Sequence, residues 1–200
     1  MKTRVADAGA LELDAAKQAL RAQMRSLRAA ESPASRTSRS LAACLRLQES
    51  PWFLRAQVVG GYLALASELD VGALLHKALA LGKTVALPRV LGDRLVFHAW
   101  QGQTVDLKRS TLGIAEPEAS APLCPPTQLE LLLLPALAVD ESGGRLGYGG
   151  GFYDRLLGTS FGATTIAVAY DFQLVPNVPM GAGDVRVQGV VTDQRTCPFS

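Results

Sequence analysis

A glycine-rich segment between two arginines, Arg145–Arg155, holds residues well suited to chemistry and reads RLGYGGGFYDR. Its glycines leave backbone N–H groups free to converge on one ligand, and Arg145 adds a cation with bidentate donors. Asp154 follows where a carboxylate could hold Mg²⁺ on bound phosphates. The segment therefore predicts an anion site suited to a nucleotide polyphosphate. A glycine hinge or a tight strand-to-helix turn is the alternative interpretation.

Neither of the two familiar nucleotide loops fits this segment. The Walker A pattern fails because no Lys-Ser or Lys-Thr follows the glycines. The dinucleotide pattern G-x-G-x-x-G fails because Phe152 or Asp154 falls in its third glycine position. What remains is the physics that both loops share, a strand followed by a glycine turn and a helix N-terminus.

A second candidate lies in a helix predicted over roughly Leu11–Ala30. An apolar stripe repeats along it at three- and four-residue steps, formed by Leu13, Ala16, Leu20, Met24 and Leu27. A basic stripe runs beside it, formed by Lys17, Arg21, Arg25 and Arg28. Two interpretations of the basic stripe stay open: a solvated face, or a row of cations that binds a polyphosphate.

Strand and helix patterns alternate along the rest of the chain. Ser32 is the predicted N-cap of a helix that runs to about Leu47. QVVGGYLAL (57–65) indicates a buried strand whose glycine pair permits close backbone approach. Asp70 can cap the following helix, VGALLHKALA (71–80), and Gly82 ends it. The strand KTVALPRV (83–90) then completes a β-α-β unit.

The second half of the chain supplies further strands. They are predicted at RLVFHAW (94–100), LELLLLPALAV (129–139), TTIAVAY (164–170) and VQGVVTD (187–193). Residues 101–128 indicate a loop with short extended pieces, and a short helix begins near Phe152. The continuous apolar run at 129–139 is typical of a central parallel strand covered on both faces. The predicted fold class is α/β, with ligands at the carboxyl ends of a largely parallel sheet.

Composition excludes several classes of protein. The 200 residues, 48% of them hydrophobic, fit a single domain with N-terminal helices at about 11–47 and an α/β core at about 57–195. A net charge of +2 is too small for a dedicated nucleic-acid binder, and the longest apolar run, Leu131 to Val139, is too short to cross a membrane. Cys44, Cys124 and Cys197 are odd in number and far apart, and no signal peptide is visible, which indicates reduced thiols in the cytoplasm.

The glycine-rich segment, taken with its surroundings, resembles the signature of the 5-formyltetrahydrofolate cyclo-ligase (5,10-methenyltetrahydrofolate synthetase) family. Landmarks of that family follow in its order along nearly the whole chain: Lys17-x-x-Leu20-Arg21, YLALASELD, GKTVALPRV, FHAW, LGIAEP, LLLLPALAVDESGGR and VVTD. The resemblance implies a three-layer α/β sandwich of the NagB/ribose-5-phosphate isomerase type. It also implies a single reaction, in which ATP and Mg²⁺ drive closure of 5-formyltetrahydrofolate to 5,10-methenyltetrahydrofolate with release of ADP and phosphate.

The resemblance further implies roles for individual residues. ATP would be bound by Lys17, Arg21, Arg145, Leu146, Gly147, Tyr148, Gly149, Gly150, Gly151, Phe152 and Tyr153. The folate would be bound by Leu63, Glu68, Tyr148, Gly149, Gly150, Gly151 and Phe152. Mg²⁺ would be held by Asp154 and Asp184. No acid, base or nucleophile is assigned, because such a reaction depends mostly on positioning and charge stabilisation.

The chain departs from the family pattern near its C-terminus. Pro179-Met180 and Gly183-Asp184 stand where the family usually has Pro-x-Glu and a His-Asp pair, and Asp193 stands where Glu is common. These departures leave a second hypothesis open, a non-catalytic folate- or nucleotide-binding protein on the same scaffold. A third, from fold analogy alone, is a relative of sugar-phosphate isomerases or CoA-transferases.

Overall fold

A computed structural model describes residues 2–65, 67–103, 107–109, 115–159 and 162–199, with the side chains of residues 2–8 and 109 left out. The helices are α1 (Lys2–Ala30), α2 (Pro33–Glu49), α3 (Pro51–Arg55), α4 (Gly72–Ala80) and α5 (Phe152–Leu157). The strands are β1 (Val58–Gly60), β2 (Thr84–Leu91), β3 (Arg94–Trp100), β4 (Leu107–Arg109), β5 (Ala115–Pro117), β6 (Leu131–Pro135), β7 (Ala138–Val139), β8 (Arg145–Leu146), β9 (Thr164–Val168), β10 (Gly189–Val191) and β11 (Thr196–Pro198). The predicted LGIAEP landmark lies partly outside the described residues.

A seven-stranded sheet forms the centre, in the order β11-β10-β9-β6-β1-β2-β3. Its five inner strands are parallel, and β3 and β11 pair antiparallel at the two edges. The predicted β-α-β unit is present as β1, α4 and β2. The α/β class and the largely parallel sheet are therefore confirmed.

The central strand β6 is buried on both faces. Leu131 and Leu133 pack into one core cluster with residues of α2, α3 and α4, whereas Leu132 and Leu134 pack into another with Leu156 of α5. Helices on the two faces of one sheet make three layers, as predicted. Within the described ranges, no helix combines the length and apolar character needed to cross a membrane.

Two predicted strands are shorter than the apolar runs that suggested them. The run 57–65 is a strand only over Val58–Gly60, because the chain then leaves the sheet to form a cavity wall. The run 129–139 ends its main-sheet strand at Pro135, which has no N–H to continue a ladder. The carbonyls of Ala136 and Leu137 instead accept hydrogen bonds from Gln173 Nε2 at 3.0 and 2.7 Å.

The glycine pair between β1 and that wall permits the close approach that the sequence predicts. A Cβ on Gly60 would lie 2.9 Å from Leu132 Cδ1, and one on Gly61 would lie 2.6 Å from Leu75 Cδ2. Both distances are shorter than a side chain could tolerate without displacing a core leucine. The pair therefore allows β1 to sit against both α4 and β6.

Helix ends follow the local chemistry of the sequence with some differences. Ser32 Oγ accepts a hydrogen bond from Ser35 N at 3.1 Å, which confirms the predicted N-cap. Asp70 Oδ1 accepts one from Gly72 N at 2.8 Å, one residue before the helical N-cap position. Helix α2 ends at Glu49, close to the predicted end at about Leu47, and Pro51 starts the unpredicted α3, because proline suits a first helical turn. Helix α1 is longer than predicted and begins at Lys2.

Candidate functional site

A cavity of about 600 Å³ opens beyond the carboxyl ends of β1 and β6. Every residue that the sequence assigns to ATP, folate or Mg²⁺ lines it: Lys17, Arg21, Leu63, Glu68, Arg145, Leu146, Gly147, Tyr148, Gly149, Gly150, Gly151, Phe152, Tyr153, Asp154 and Asp184. Residues up to 167 positions apart in the chain thus share one space. Their roles as ligands stay predictions.

Helix α1 is held over the glycine-rich segment by its apolar face. Met24 is buried against Leu137, Ala138 and Leu146 of the β7–β8 region, and Leu20 packs beside it. This packing brings Arg21 Nε to 2.9 Å from the carbonyl oxygen of Gly147. The α1 cations thereby face the glycine-rich segment directly.

The predicted basic stripe of α1 divides into three environments. Lys17 and Arg21 line the cavity, Arg25 is exposed, and Arg28 is buried with 2% of its surface accessible. The predicted apolar stripe is correspondingly narrower, since Ala16 is exposed and Leu27 is 42% exposed. Neither interpretation of the stripe holds for all four cations.

Lys17 pairs with Asp184 across the cavity. Asp184 Oδ2 accepts hydrogen bonds from Lys17 Nζ and, at 2.6 Å, from Gly181 N. Burial acts to raise the pKa of Asp184, but the Gly181 N–H and the Lys17 ammonium hold this pKa below its usual value. The Asp184 carboxylate therefore stays charged beside Lys17, although the Glu and His that the resemblance leads one to expect before it are missing.

Arg145 is a buried cation that lines the cavity at the start of the glycine-rich segment. Its side chain is 2% exposed, and its guanidinium lies over the ring of Tyr153 at 5.6 Å from the centroid. Nη2 lies 3.3 Å from each carboxylate oxygen of Asp154, and Nη1 lies 3.3 Å from the carbonyl oxygen of Pro135. The buried Nε has no partner among the described residues. These long or missing contacts leave the guanidinium incompletely satisfied.

The two predicted metal ligands suit a Mg²⁺ ion that arrives with phosphates. No group of three His, Cys, Asp or Glu side chains that could hold a metal occurs in the part of the chain that the structure describes. Mg²⁺ is usually bound by one or two carboxylates together with phosphate oxygens and water. Asp154 and Asp184, each already beside a cation in one cavity, fit that mode of binding.

The glycine-rich segment has a backbone that side chains would strain. Gly149 has a φ of +105° and Gly151 a φ of +67°. The segment begins with the short strand β8, which pairs with β7 in a two-stranded sheet, so the strand that leads into the glycine turn does not belong to the main sheet. Helix α5 begins at Phe152 as predicted.

Asp140 fixes the turn that enters the glycine-rich segment, a role that the sequence analysis missed. Its Oδ1 accepts hydrogen bonds from the backbone N–H groups of Ser142 and Gly144, both at 2.9 Å, and Oδ2 accepts one from Val178 N at 2.8 Å. Burial acts to raise the pKa of Asp140, but these donors and the Ser142 hydroxyl lower it overall. Its place in the landmark VDESGGR was the available signal.

Glu68 is a buried carboxylate on the wall formed after β1. It is 8% exposed, and Oε2 accepts a hydrogen bond from Leu65 N at 2.8 Å. Loss of hydration raises the pKa of Glu68, and the Leu65 N–H, the Tyr148 hydroxyl and the Arg28 charge offset part of this effect. A desolvated carboxylate of this kind favours a ligand that presents N–H donors.

The sequence analysis also missed an apolar wall and a second buried carboxylate. Pro88 and Val90 line the cavity from alternate positions of β2, and Leu95 joins them from β3. Glu116 of β5 is 3% exposed, accepts a hydrogen bond from Val90 N at 3.3 Å and lies 4.0 Å from Arg89. The period of two in β2 and the landmark LGIAEP could have indicated these residues.

Comparison of the sequence with known proteins gives a consistent set of matches. The model of the 5-formyltetrahydrofolate cyclo-ligase family matches residues 13–193. The chain is 32% identical over 178 residues to the 5-formyltetrahydrofolate cyclo-ligase of Escherichia coli (strain K12), covering 86% of this chain and 97% of that protein. It is 35% identical over 150 residues to the 5-formyltetrahydrofolate cyclo-ligase of Mycolicibacterium smegmatis, covering 71% of this chain and 76% of that protein.

Solved structures give similar matches. The NMR structure of Aquifex aeolicus 5,10-methenyltetrahydrofolate synthetase superposes with a TM-score of 0.81 at 28% identity, covering 92% of each chain. The 5,10-methenyltetrahydrofolate synthetase of Mycoplasma pneumoniae superposes with a TM-score of 0.71 at 21% identity, covering 88% of this chain and 98% of that one. The second match speaks for the fold alone.

Proposed function

The chain belongs to the 5-formyltetrahydrofolate cyclo-ligase family, and we propose that it uses ATP and Mg²⁺ to close 5-formyltetrahydrofolate into 5,10-methenyltetrahydrofolate. One observation carries the proposal: a single cavity is lined both by the residues predicted for the nucleotide and by those predicted for the folate. A reaction that transfers a phosphoryl group from one substrate to the other needs such a shared space, because proximity of the reacting groups supplies much of the rate enhancement.

The proposed reaction activates a poor electrophile. The formyl oxygen attacks the γ-phosphorus of ATP, the bond from that phosphorus to the bridging oxygen breaks, and ADP leaves. N10 of the folate then attacks the activated formyl carbon, the carbon–oxygen bond to phosphate breaks, and N10 gives up its proton. The product carries a positive charge shared between N5 and N10.

The cations of the cavity support the first step of this reaction. Lys17, Arg21 and Arg145 supply positive charge to the phosphates, and the glycine-rich segment supplies backbone N–H groups. Mg²⁺, held by Asp154 and Asp184, would neutralise phosphate charge when it is bound. Arg145 is held in place by Tyr153 and Asp154, so it is oriented before a ligand arrives.

The buried carboxylate Glu68 supports folate as the second substrate. A pterin presents adjacent N–H donors on its amino-pyrimidine edge, and a carboxylate accepts two such donors side by side. Leu63 lies on the same wall, and the apolar residues Pro88 and Val90 line the same cavity. This combination suits a flat, mostly apolar ring with one polar edge.

Three finer assignments belong to the same proposal. We infer one domain with N-terminal helices at about 11–47 and a core at about 57–195, in a sandwich of the NagB/ribose-5-phosphate isomerase type. The parallel inner strands and the helix-covered faces support that type. We also infer a cytoplasmic location, supported by Cys44, Cys124 and Cys197, all free thiols, of which the first two are buried.

The test is a turnover assay on the purified protein. 5-Formyltetrahydrofolate, ATP and Mg²⁺ together should give the near-ultraviolet absorbance of the methenyl product, with one phosphate released per product formed. Omitting ATP, or adding a chelator of Mg²⁺, should abolish the signal. Parallel thermal melts should show stabilisation by each substrate.

The outcomes separate the three hypotheses. Stabilisation by folate and nucleotide without turnover would favour a non-catalytic binding protein. Absence of any response to ATP would favour a relative of sugar-phosphate isomerases. The position of Asp184, paired with Lys17 in the cavity despite its altered neighbours, favours turnover.

A further inference from the structure

The buried guanidinium of Arg28 contacts two chain segments that contribute residues to the cavity. Arg28, in the last turn of α1, donates from Nε to the carbonyl oxygen of Ser67 at 2.8 Å and from Nη2 to Ser67 Oγ at 3.0 Å. Its Nη1 donates to the hydroxyl of Tyr148 at 2.6 Å, and its guanidinium carbon lies 5.6 Å from the Tyr148 ring centroid. Arg28 itself does not line the cavity.

The two contacts of Arg28 lie on chain segments whose predicted ligands differ in part, since the segment of Glu68 is predicted to bind only the folate, and the glycine-rich segment the nucleotide and the folate. Ser67 directly precedes Glu68, the residue predicted to bind the pterin. Tyr148 belongs to the glycine-rich segment predicted to wrap the nucleotide. Movement of either segment therefore changes the hydrogen bonds that hold the other.

The Tyr148 hydroxyl extends this connection to the carboxylate of Glu68. Because Arg28 donates to the tyrosine oxygen, the hydroxyl hydrogen remains available to an acceptor. Glu68 is an acceptor that lines the same cavity. Burial and then the Glu68 charge raise the pKa of Tyr148, and the Tyr148 hydroxyl helps to lower the pKa of Glu68. Arg28, Tyr148 and Glu68 thus form a chain of polar groups from helix α1 into the cavity.

We propose that Arg28 is a positioning residue that couples the two substrates, so that nucleotide bound at the glycine-rich segment strengthens binding of the formyl-folate, and the reverse. The inference rests on the proposed function. The physical basis is that either ligand fixes one segment, and the Arg28 fork then fixes the other in advance. The second ligand consequently binds a cavity that is already ordered, and by thermodynamic linkage the effect is reciprocal.

The test measures binding and not turnover. Titration calorimetry gives the affinity of 5-formyltetrahydrofolate with and without a saturating β,γ-imido analogue of ATP and Mg²⁺, and then the converse. In the wild type each ligand should raise the affinity for the other by about five- to fiftyfold. Arg28→Lys keeps the charge but loses the planar fork, so the coupling factor should fall at least fivefold, towards one.

Three further variants make the result specific. Ser67→Ala removes one of the Arg28 contacts outside the cavity and should reduce the coupling less than Arg28→Lys. Tyr148→Phe should reduce the coupling factor as much as Arg28→Lys does. The double variant should show no further reduction, because both changes break the same connection. Arg25→Lys, at an exposed position of the same helix, should leave the coupling factor at its wild-type value.

The outcomes distinguish the inference from the proposed function. If the wild type binds both ligands without coupling, or if the coupling factor survives in Arg28→Lys and Tyr148→Phe, the inference is wrong and the proposed function stands. If the wild type binds neither ligand, both are wrong. A merely structural Arg28 would lower the melting temperature and leave the coupling factor unchanged.

Discussion

Arg145 and Asp154 face each other in the cavity, with Nη2 of the arginine 3.3 Å from both carboxylate oxygens. The residue predicted to hold phosphate is thus the partner of a residue predicted to hold the metal. Lys17 and Asp184 repeat the arrangement with a second cation and a second carboxylate. When a magnesium nucleotide binds, each charged side chain could replace its partner in the pair with a charge from the ligand. The carboxylates would contact the metal and the cations would contact the phosphates, so no buried charge would be left uncompensated.

The Arg145–Asp154 pair gives a prediction about stability without ligands. Asp154→Ala leaves the buried guanidinium without its counter-ion, so we expect the free energy of unfolding to fall by about 3 kcal/mol. Asp93→Ala is the matched control, because it removes a 77% exposed carboxylate beside the exposed Arg94 and should cost less than about 0.5 kcal/mol. Urea denaturation measures both, and equal losses would mean that the buried pair does not stabilise the fold.

The division of the α1 basic stripe gives a prediction about nucleotide affinity. Lys17→Ala removes a cavity cation, so the dissociation constant for the magnesium complex of the ATP analogue should rise about ten- to hundredfold. Arg25→Ala removes the same charge from an exposed position two turns along the helix, and it should change this dissociation constant less than twofold. If both variants lose affinity equally, long-range charge and not contact governs binding.

The sequence indicated residues that share one cavity most clearly where one short segment carries several of them in a fixed order, and their roles as ligands stay predictions. The Arg145–Arg155 segment and the strand before it could be recognised because glycines, an arginine and a carboxylate recur at close spacing. Each predicted residue then lies in one cavity, including Leu63 and Asp184 from distant positions. The parallel sheet was predictable because its central run, Leu131–Leu134, is fully buried and leaves no polar face to confuse the pattern.

The features that the sequence could not supply depend on packing between distant segments. Arg28 repeats at the same helical spacing as Lys17 and Arg21, but only the contacts with Ser67 and Tyr148 show that it is buried. The strand at β1 stops early because the following residues turn to form the cavity wall, which no local pattern reveals. The burial of Glu116 depends on the position of β5 beside β2, a contact between distant segments that no local pattern specifies.

The raised pKa of Glu68 predicts opposite effects on stability and on binding. Since the folded-state pKa lies above the ordinary value of 4.5, the charged carboxylate destabilises the native state at pH 8. Glu68→Gln should therefore unfold at higher urea concentration than the wild type at pH 8. The difference should shrink as the pH falls through the folded-state pKa, where the wild type becomes protonated.

The same variant should bind the formyl-folate at least tenfold more weakly, because an amide cannot accept two adjacent N–H donors. Glu118→Gln is the control, since Lys108 and Ser120 lower the pKa of that exposed carboxyl and give it the opposite dependence on pH. Urea titrations from pH 4 to 8 and calorimetry at pH 8 check the two effects. A Gln variant less stable than the wild type at pH 8 would show that the Leu65 contact outweighs desolvation.

The backbone of the glycine-rich segment gives a final prediction, about strain. Gly149 has a φ of +105°, which a residue with a Cβ rarely adopts, and a Cβ there would lie 3.5 Å from the Arg21 guanidinium carbon, an ordinary contact. Gly149→Ala should therefore lower the free energy of unfolding by about 1–3 kcal/mol, because of the strained backbone conformation and not because of a steric clash. Gly162→Ala, at a position with no neighbour within 4 Å and no positive φ, should leave stability within about 0.5 kcal/mol or raise it. Nucleotide affinity should fall only in Gly149→Ala, because its relaxation displaces the backbone of a segment that lines the cavity. Unchanged nucleotide affinity in a destabilised Gly149→Ala variant would show that this backbone conformation does not serve binding.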